Sequence, residues 1–379
     1  MVFDRDDIIA EIKERLNRPE GIWRYVEAEL ELSAEDCDIN EVYSVTFNPS
    51  PAISGNVHDY FSEGPYWWPN PENPQGEYIW RDGECNPDLF ENHKKDFTKM
   101  FDRTAVLAYA GFYFDREDYI KKAAELIKVW FVDEKTKMNP HLEYAQAIRR
   151  KCDGRSIGII DFIHIISVIN SAAFISRNGL CDDVINGFRA WLADFLVWLQ
   201  TSKNGIQEKN HGNNHSMWYT AIVMTIAAFL DKKDVIEENA EFYKTDLIPK
   251  QLNDKSEFTE EITRTKSFTY SIFNLDAAAI ICEIAGNFGV DLWSHEKDGR
   301  GIKSAAENLI PYMKNPYKWP YVQFNGMIPE CSLGLELTGL RLGVIEALEA
   351  NDIRSSGKRY VRKLHPLGFF SLLFGRINE

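Results

Sequence analysis

Apolar residues recur at helical spacing along most of this chain. Ile8, Ile9, Ile12 and Leu16 share one face of a segment over 6–18 that is flanked by acidic residues. From residue 90 the pattern is sustained and predicts helices over 90–114 and 117–131, the second with Ile120, Ala123, Ala124, Ile127 and Trp130 on one face. It continues over 157–178 and 182–202, where Val184, Phe188, Trp191, Leu192, Phe195 and Leu199 repeat at intervals of three and four. Further helices are expected over 214–230, 232–250, 268–286, 301–313 and 334–350, and the tail 364–370 is short and apolar. Helix pairs thus recur about every 45–60 residues, with no strand alternation of comparable strength. Antiparallel pairs stacked side by side make a superhelix or close into a toroid. The expectation is an all-α chain forming a single domain over residues 1–379.

The interval 44–93 breaks this pattern. Pro49, Pro51, Pro65, Pro69, Pro71, Pro74 and Pro87, with Gly55, Gly64, Gly76 and Gly83, rule out long regular elements there. Within it, Tyr66, Trp67 and Trp68 are held between Pro65 and Pro69 as a stiff aromatic loop. Such a loop is either a hydrophobic plug over the core or a wall or lid for a flat substrate.

Composition changes the picture only in places. Hydrophobic residues make up 44% and charged residues 27% of the 379, an ordinary globular balance that allows a sizeable core. Aromatics reach 13%, a surplus that suits sugar or peptide clefts as well as large helical cores. The formal net charge of −15 disfavours nucleic acid and anionic membranes as partners, but a small local positive pocket can still hold an anion. Six scattered cysteines with no C-x-x-C read as reduced thiols rather than a disulfide frame or zinc site. The segment Met1-Val2-Phe3-Asp4-Arg5 lacks the apolar core of a signal peptide. A cytoplasmic place is then expected, or a periplasmic or secreted one if a leader was removed. Nothing in the sequence indicates an oligomeric state.

Two stretches carry candidate chemistry. The first, Asn210-His211-Gly212-Asn213-Asn214-His215-Ser216-Met217-Trp218-Tyr219, is polar between two apolar segments. Gly205 is placed to close the helix before it, and Asn213 or Asn214 to cap the helix after it. An amide and an imidazole at a helix N-terminus suit an anion, because free N–H groups and the helix dipole favour negative charge there. Capping alone explains the same residues. The second stretch runs from Glu257 to Ser271, with Arg264 and Lys266 just ahead of a helix whose first turns contain Tyr270. A guanidinium beside a tyrosine stabilises its phenolate, and such a tyrosine serves as base and then acid. Alternatively, Arg264 pairs with Glu260 or Glu261 and Tyr270 packs in the core.

Asn-Asn-His-Ser followed by an aromatic, then an acidic-Thr-Arg segment with a tyrosine downstream, resembles the α/α-toroid polysaccharide lyases typified by alginate lyases. The Tyr66-Trp67-Trp68 loop is similar to the aromatic lid region of that group, and the resemblance spans about 50–345. It implies an (α/α) toroid, or incomplete barrel, of antiparallel helix pairs with the loop region 44–93 near its N-terminus. It also implies cleavage of a 4-linked polyuronate (alginate, mannuronate-rich chains or glucuronan) by β-elimination, leaving 4,5-unsaturated ends. The family's roles fall on Asn214 and His215, which would neutralise the uronate carboxylate, on Arg264, which would assist, and on Tyr270, which would move the proton. Tyr66, Trp67, Trp68, Arg81, Arg155, Asn213 and Lys266 are the expected substrate contacts. The partner would be an anionic polysaccharide or oligosaccharide.

Other chemistry is less well supported. His211 and His215 are four apart, but Gly212-Asn213-Asn214 argues against a helix between them and no H-E-x-x-H accompanies them. No metal or other cofactor is expected. A glycoside hydrolase on a similar α/α ring would use two carboxylates from among Asp88, Asp96, Asp102, Asp153 and Asp161. A noncatalytic carbohydrate-binding protein is the remaining alternative.

Overall fold

The computed structural model describes residues 6–21, 23–38, 40–324 and 328–355. The apolar tail 364–370 lies outside the described residues. These residues fall into two compact units, divided between Gln207 and Glu208.

The first unit contains α1 (Asp6–Asn17), α2 (Trp23–Glu35), α3 (Asn92–Tyr113) and α4 (Glu117–Ile127), the last continuing into a π-turn over Lys128–Val132. It continues with α5 (Ile165–Asn178), α6 (Asp182–Thr201) and the start of α7 (Lys203–Lys209). Helix α2 and helix α7 have no counterpart among the expected segments. Helices α3 and α4 pack as a pair across a short loop, whereas α6 leans mainly on the π-turn of α4 rather than on α5.

The Pro/Gly-rich interval forms three short strands, and a fourth lies further along at Tyr144–Ala147. Strand β1 (Phe61–Glu63) runs parallel to β4 (Tyr144–Ala147), and β2 (Trp67–Trp68) pairs antiparallel with β3 (Ile79–Trp80). Pairing of Trp67 with Trp80 and of Trp68 with Ile79 makes the aromatic loop a small hairpin. Prolines at 65 and 69 stop β2 on both sides, since proline cannot donate to a ladder.

The second unit contains α8 (Asn214–Phe229), α9 (Lys233–Phe242) and α10 (Ile248–Gln251), with a π-turn over Tyr243–Leu247 between the last two. It ends with α11 (Ser267–Asn287), α12 (Ile302–Lys314), α13 (Leu333–Leu342) and α14 (Ile345–Ser355). The single helix expected over 334–350 is broken at Gly343, whose φ of +68° is left-handed backbone that glycine adopts without strain. Helix α11 packs on α8 and α13, and α12 on α14, so α11 and α12 touch less closely although they follow each other in the chain.

Helices α8 and α11 are apolar on all sides and buried along nearly their whole length, as helices at the centre of a core must be. They lie with their N-termini at the same end. Asn214 bonds to Glu261 just ahead of α11, and further in Trp218 packs on Phe273 with ring centroids 4.6 Å apart. This brings the two chemistry-bearing stretches to one place.

Candidate active site

The turn into α8 is built from backbone constraints. Gly205 does not close α6. It sits inside α7, where an added Cβ would lie 1.8 Å from the Leu199 carbonyl oxygen, so only glycine lets α7 start so close to α6. Gly212 has a φ of +93° and donates its N–H to the Ser216 hydroxyl at 2.8 Å. Asn213 is the N-cap of α8: its side-chain oxygen accepts from the His215 N–H at 3.0 Å, while its backbone carbonyl accepts from Gln251 Nε2 at 2.9 Å.

Asn214 and His215 are held by two different carboxylates. Asn214 is fully buried, and Glu261 takes both its backbone N–H (2.7 Å) and its side-chain Nδ2 (2.8 Å). Its Oδ1 is buried without a hydrogen-bond partner among the described residues. His215 is half-buried, with Nδ1 2.7 Å from Oε1 of Glu208, itself only 1% exposed. Burial pushes the Glu261 carboxyl above its usual range, and the two Asn214 donors, then Arg264 and His215, act in the opposite direction. Glu261 therefore lies within electrostatic reach of both Arg264 and His215.

Beyond Glu261 the chain turns into α11. The Arg264 guanidinium lies over the Tyr270 ring, 4.3 Å from its centroid, and both side chains are half-buried. Lys266 is buried and is the N-cap residue of α11, with its carbonyl accepting from the Tyr270 N–H at 3.0 Å. An antiparallel bridge between Lys266 and Gln323, and a bond from the Trp319 indole to the Ser267 hydroxyl at 2.7 Å, hold this end of the helix. The structure thus brings Asn213, Asn214, His215, Arg264, Lys266 and Tyr270 to the N-termini of α8 and α11. Two aligned helix N-termini, an imidazole and a guanidinium suit a carboxylate, and a phenol beside the guanidinium suits proton transfer.

The remaining expected contacts gather in the first unit. Lys151 Nζ lies 4.7 Å from the Trp67 ring and the Arg155 guanidinium 5.8 Å from it, while the Arg81 guanidinium is 5.0 Å from the Trp68 ring. Trp68 also donates its indole N–H to the Glu84 carbonyl at 2.9 Å, and Tyr66 stays half-exposed with its carbonyl accepting from the Arg81 N–H at 2.9 Å. Arg155 is itself fixed by the carbonyl and side-chain oxygens of Gln146, at 2.9 and 3.0 Å. Asp161, one of the hydrolase candidates, is buried and accepts from Ser62, from Gln146 at 3.0 Å and from Lys94 at 3.4 Å.

Sequence reasoning missed Glu208 as the partner of His215, and treated Glu261 only as a partner for Arg264. A carboxylate seven residues before the histidine is the one local signal for Glu208; nothing local links Glu261 to Asn214, 47 positions away. The rings of His211 and His215 lie 5.0 Å apart, with His211 ahead of the helix. Among the described residues, no group of three or more His, Cys, Asp and Glu side chains is placed to hold a metal.

Comparisons with known proteins bear on the family and the fold. The sequence profile of the alginate lyase family matches residues 44–319. An alginate lyase from Bacteroides ovatus is 27% identical, with 98% of each chain covered and a TM-score of 0.83. Alginate lyase A1-III from Sphingomonas species A1 is 17% identical over 89% of this chain and 87% of that one, with a TM-score of 0.57. A Tyr→Phe variant of alginate lyase A1-III complexed with tetrasaccharide gives 18% identity, coverage of 89% and 87%, and a TM-score of 0.54. No curated protein matches the sequence. The fold is all-α, of the α/α-toroid class to which these enzymes belong. With the family profile spanning most of its length, this chain belongs to the alginate lyase family and is a polysaccharide lyase.

Proposed function

We propose that this enzyme cleaves a 4-linked polyuronate, alginate in its mannuronate-rich regions or glucuronan, by β-elimination. The observation that carries the reading is the Arg264 guanidinium stacked on Tyr270 beside the shared N-terminal end of α8 and α11. Taking the C5 proton of a uronate beside an ionised carboxylate builds a dianionic, enolate-like species. Donors aimed at that carboxylate stabilise the developing charge, commonly the largest catalytic contribution. His215 and Arg264 supply them at the surface. Asn214 acts from beneath, tying the first turn of α8 to Glu261 and so setting where His215 stands. Tyr270 takes the C5 proton as a phenolate that Arg264 favours, then returns a proton to the departing O4. Within the first unit, Tyr66, Trp67, Trp68, Arg81 and Arg155 supply aromatic faces and cations suited to sugar rings and carboxylates; within the second, Asn213 and Lys266 complete the polar lining.

One tyrosine acting as base and then acid serves groups on one face of the sugar. In 4-linked β-D-mannuronate and β-D-glucuronate the C5 hydrogen and the C4 oxygen are syn, whereas in α-L-guluronate they are anti. Poly-mannuronate or glucuronan should therefore be cleaved faster than poly-guluronate. Initial rates on the separate homopolymers, read by the ultraviolet absorbance of unsaturated ends, test this. A clear preference for poly-guluronate would overturn the one-tyrosine scheme, and the absence of unsaturated ends with every polyuronate would overturn the elimination.

A further inference from the structure

Glu208 ends up buried at the C-terminal turn of α7, where nothing in helix packing calls for a carboxylate. Oε1 meets His215 Nδ1 at 2.7 Å, and Oε2 is buried with no hydrogen-bond partner among the described residues. The backbone carbonyl of Glu208 accepts from the Ser216 hydroxyl at 3.2 Å, and that hydroxyl accepts from the Gly212 N–H at 2.8 Å. Those two bonds already close the turn between α7 and α8. An apolar side chain of the same volume would fill the space without leaving a desolvated oxygen unpaired, a cost that native structures rarely carry without a use.

A carboxylate accepts and does not donate, so the proton shared with His215 sits on Nδ1. The other ring nitrogen, Nε2, makes no hydrogen bond among the described residues and is the atom left to meet a ligand. We propose that Glu208 is a positioning residue for elimination: it fixes the plane and the Nδ1–H tautomer of His215 so that Nε2 faces the uronate carboxylate. This rests on the reading in which His215 meets that carboxylate. When Nε2 donates to the carboxylate, both ring nitrogens carry protons and Glu208 is the buried counter-charge. The residue thus supplies orientation before the substrate arrives and neutralisation once it has bound.

The test uses the full chain labelled with ¹⁵N-histidine, with His215 assigned by its disappearance in His215→Gln. Long-range ¹H–¹⁵N correlation should show the Nδ1–H pattern for His215 in the wild type and in Glu208→Gln, whose side-chain oxygen still accepts. In Glu208→Met, which keeps volume and removes the acceptor, that pattern should give way to the Nε2–H form favoured by free imidazole. In parallel, kcat should fall about 10–100-fold in Glu208→Met with KM little changed, and Glu208→Gln should recover much of the loss. An unaltered His215 pattern in Glu208→Met, or a kcat within about threefold of wild type, would overturn the proposal. A wild type that eliminates from no polyuronate would instead remove the lyase reading, and the tautomer comparison would still decide whether Glu208 sets the ring.

Discussion

Asp161 in the first unit and Glu208 in the second are both buried carboxylates, yet their oxygens are used in opposite ways. Asp161 gathers Ser62, Gln146 and Lys94 on two oxygens, and so ties β1, β4 and α3 together. Glu208 spends one oxygen on a single ring and leaves the other unpaired. A saturated cluster rigidifies a fold; a half-saturated one costs free energy, and that cost is tolerated where the carboxylate acts on a side chain that must face outward. Under the proposed function, the first unit's polar centre is scaffold and the second unit's is machinery.

The largest effect belongs to the second unit. Tyr270→Phe should lower kcat by about 10²–10⁴-fold while leaving the melting temperature unchanged, because only the ionisable oxygen is lost. Ultraviolet assay of the initial rate measures it, and a near-native rate would move proton transfer to another group, His215 first.

Asp161→Ala should do the reverse. Stripping the partner from Ser62, Gln146 and Lys94 should cost about 3–5 kcal/mol in a urea melt, with the kcat of the folded fraction little altered. A kcat loss without a stability loss would place Asp161 in the chemistry and erase the contrast.

Asn214→Ala probes the seam between scaffold and machinery. Burial raises the Glu261 carboxyl above its unfolded value near 4.5, so its contribution is greatest below that pH and is lost as pH rises through the folded value. The Asn214 donors favour the charged form and limit that loss. Removing the side-chain donor should thus cost about 1.5–3 kcal/mol at neutral pH and clearly less near pH 4. Denaturant melts at both pH values check the sign, and an equal cost at each would mean that Asn214 matters only for packing.

The smallest effect is expected at the hairpin. Trp67→Ala should raise KM by about tenfold, equivalent to about 1.4 kcal/mol, with kcat spared, and Arg81→Ala by less. Steady-state kinetics on oligosaccharide would show it. A fall in kcat at constant KM would bring the aromatic hairpin into the chemical step.

Sequence alone determined most of the helices from residue 90 onward, α7 and the break at Gly343 excepted, because burial on one face imposes a period that any reader of the chain can count. It also determined the irregular region 44–93, since proline and glycine act through their own backbone chemistry. A cap at Asn213 or Asn214 and a pairing of Arg264 with Tyr270 were among the local options legible for the same reason, since those partners lie within six residues, and the structure chose among them. Only the tertiary structure decided that Asn214 is buried and spent on Glu261, that Gly205 sits inside a helix rather than ending one, and that the aromatic loop is a paired hairpin. The Asn214–Glu261 contact joins segments 47 positions apart and comes with the packing of α8 against α11. The other two depend on how α7 turns back on α6 and on β2 finding β3, which the turn residues alone do not encode.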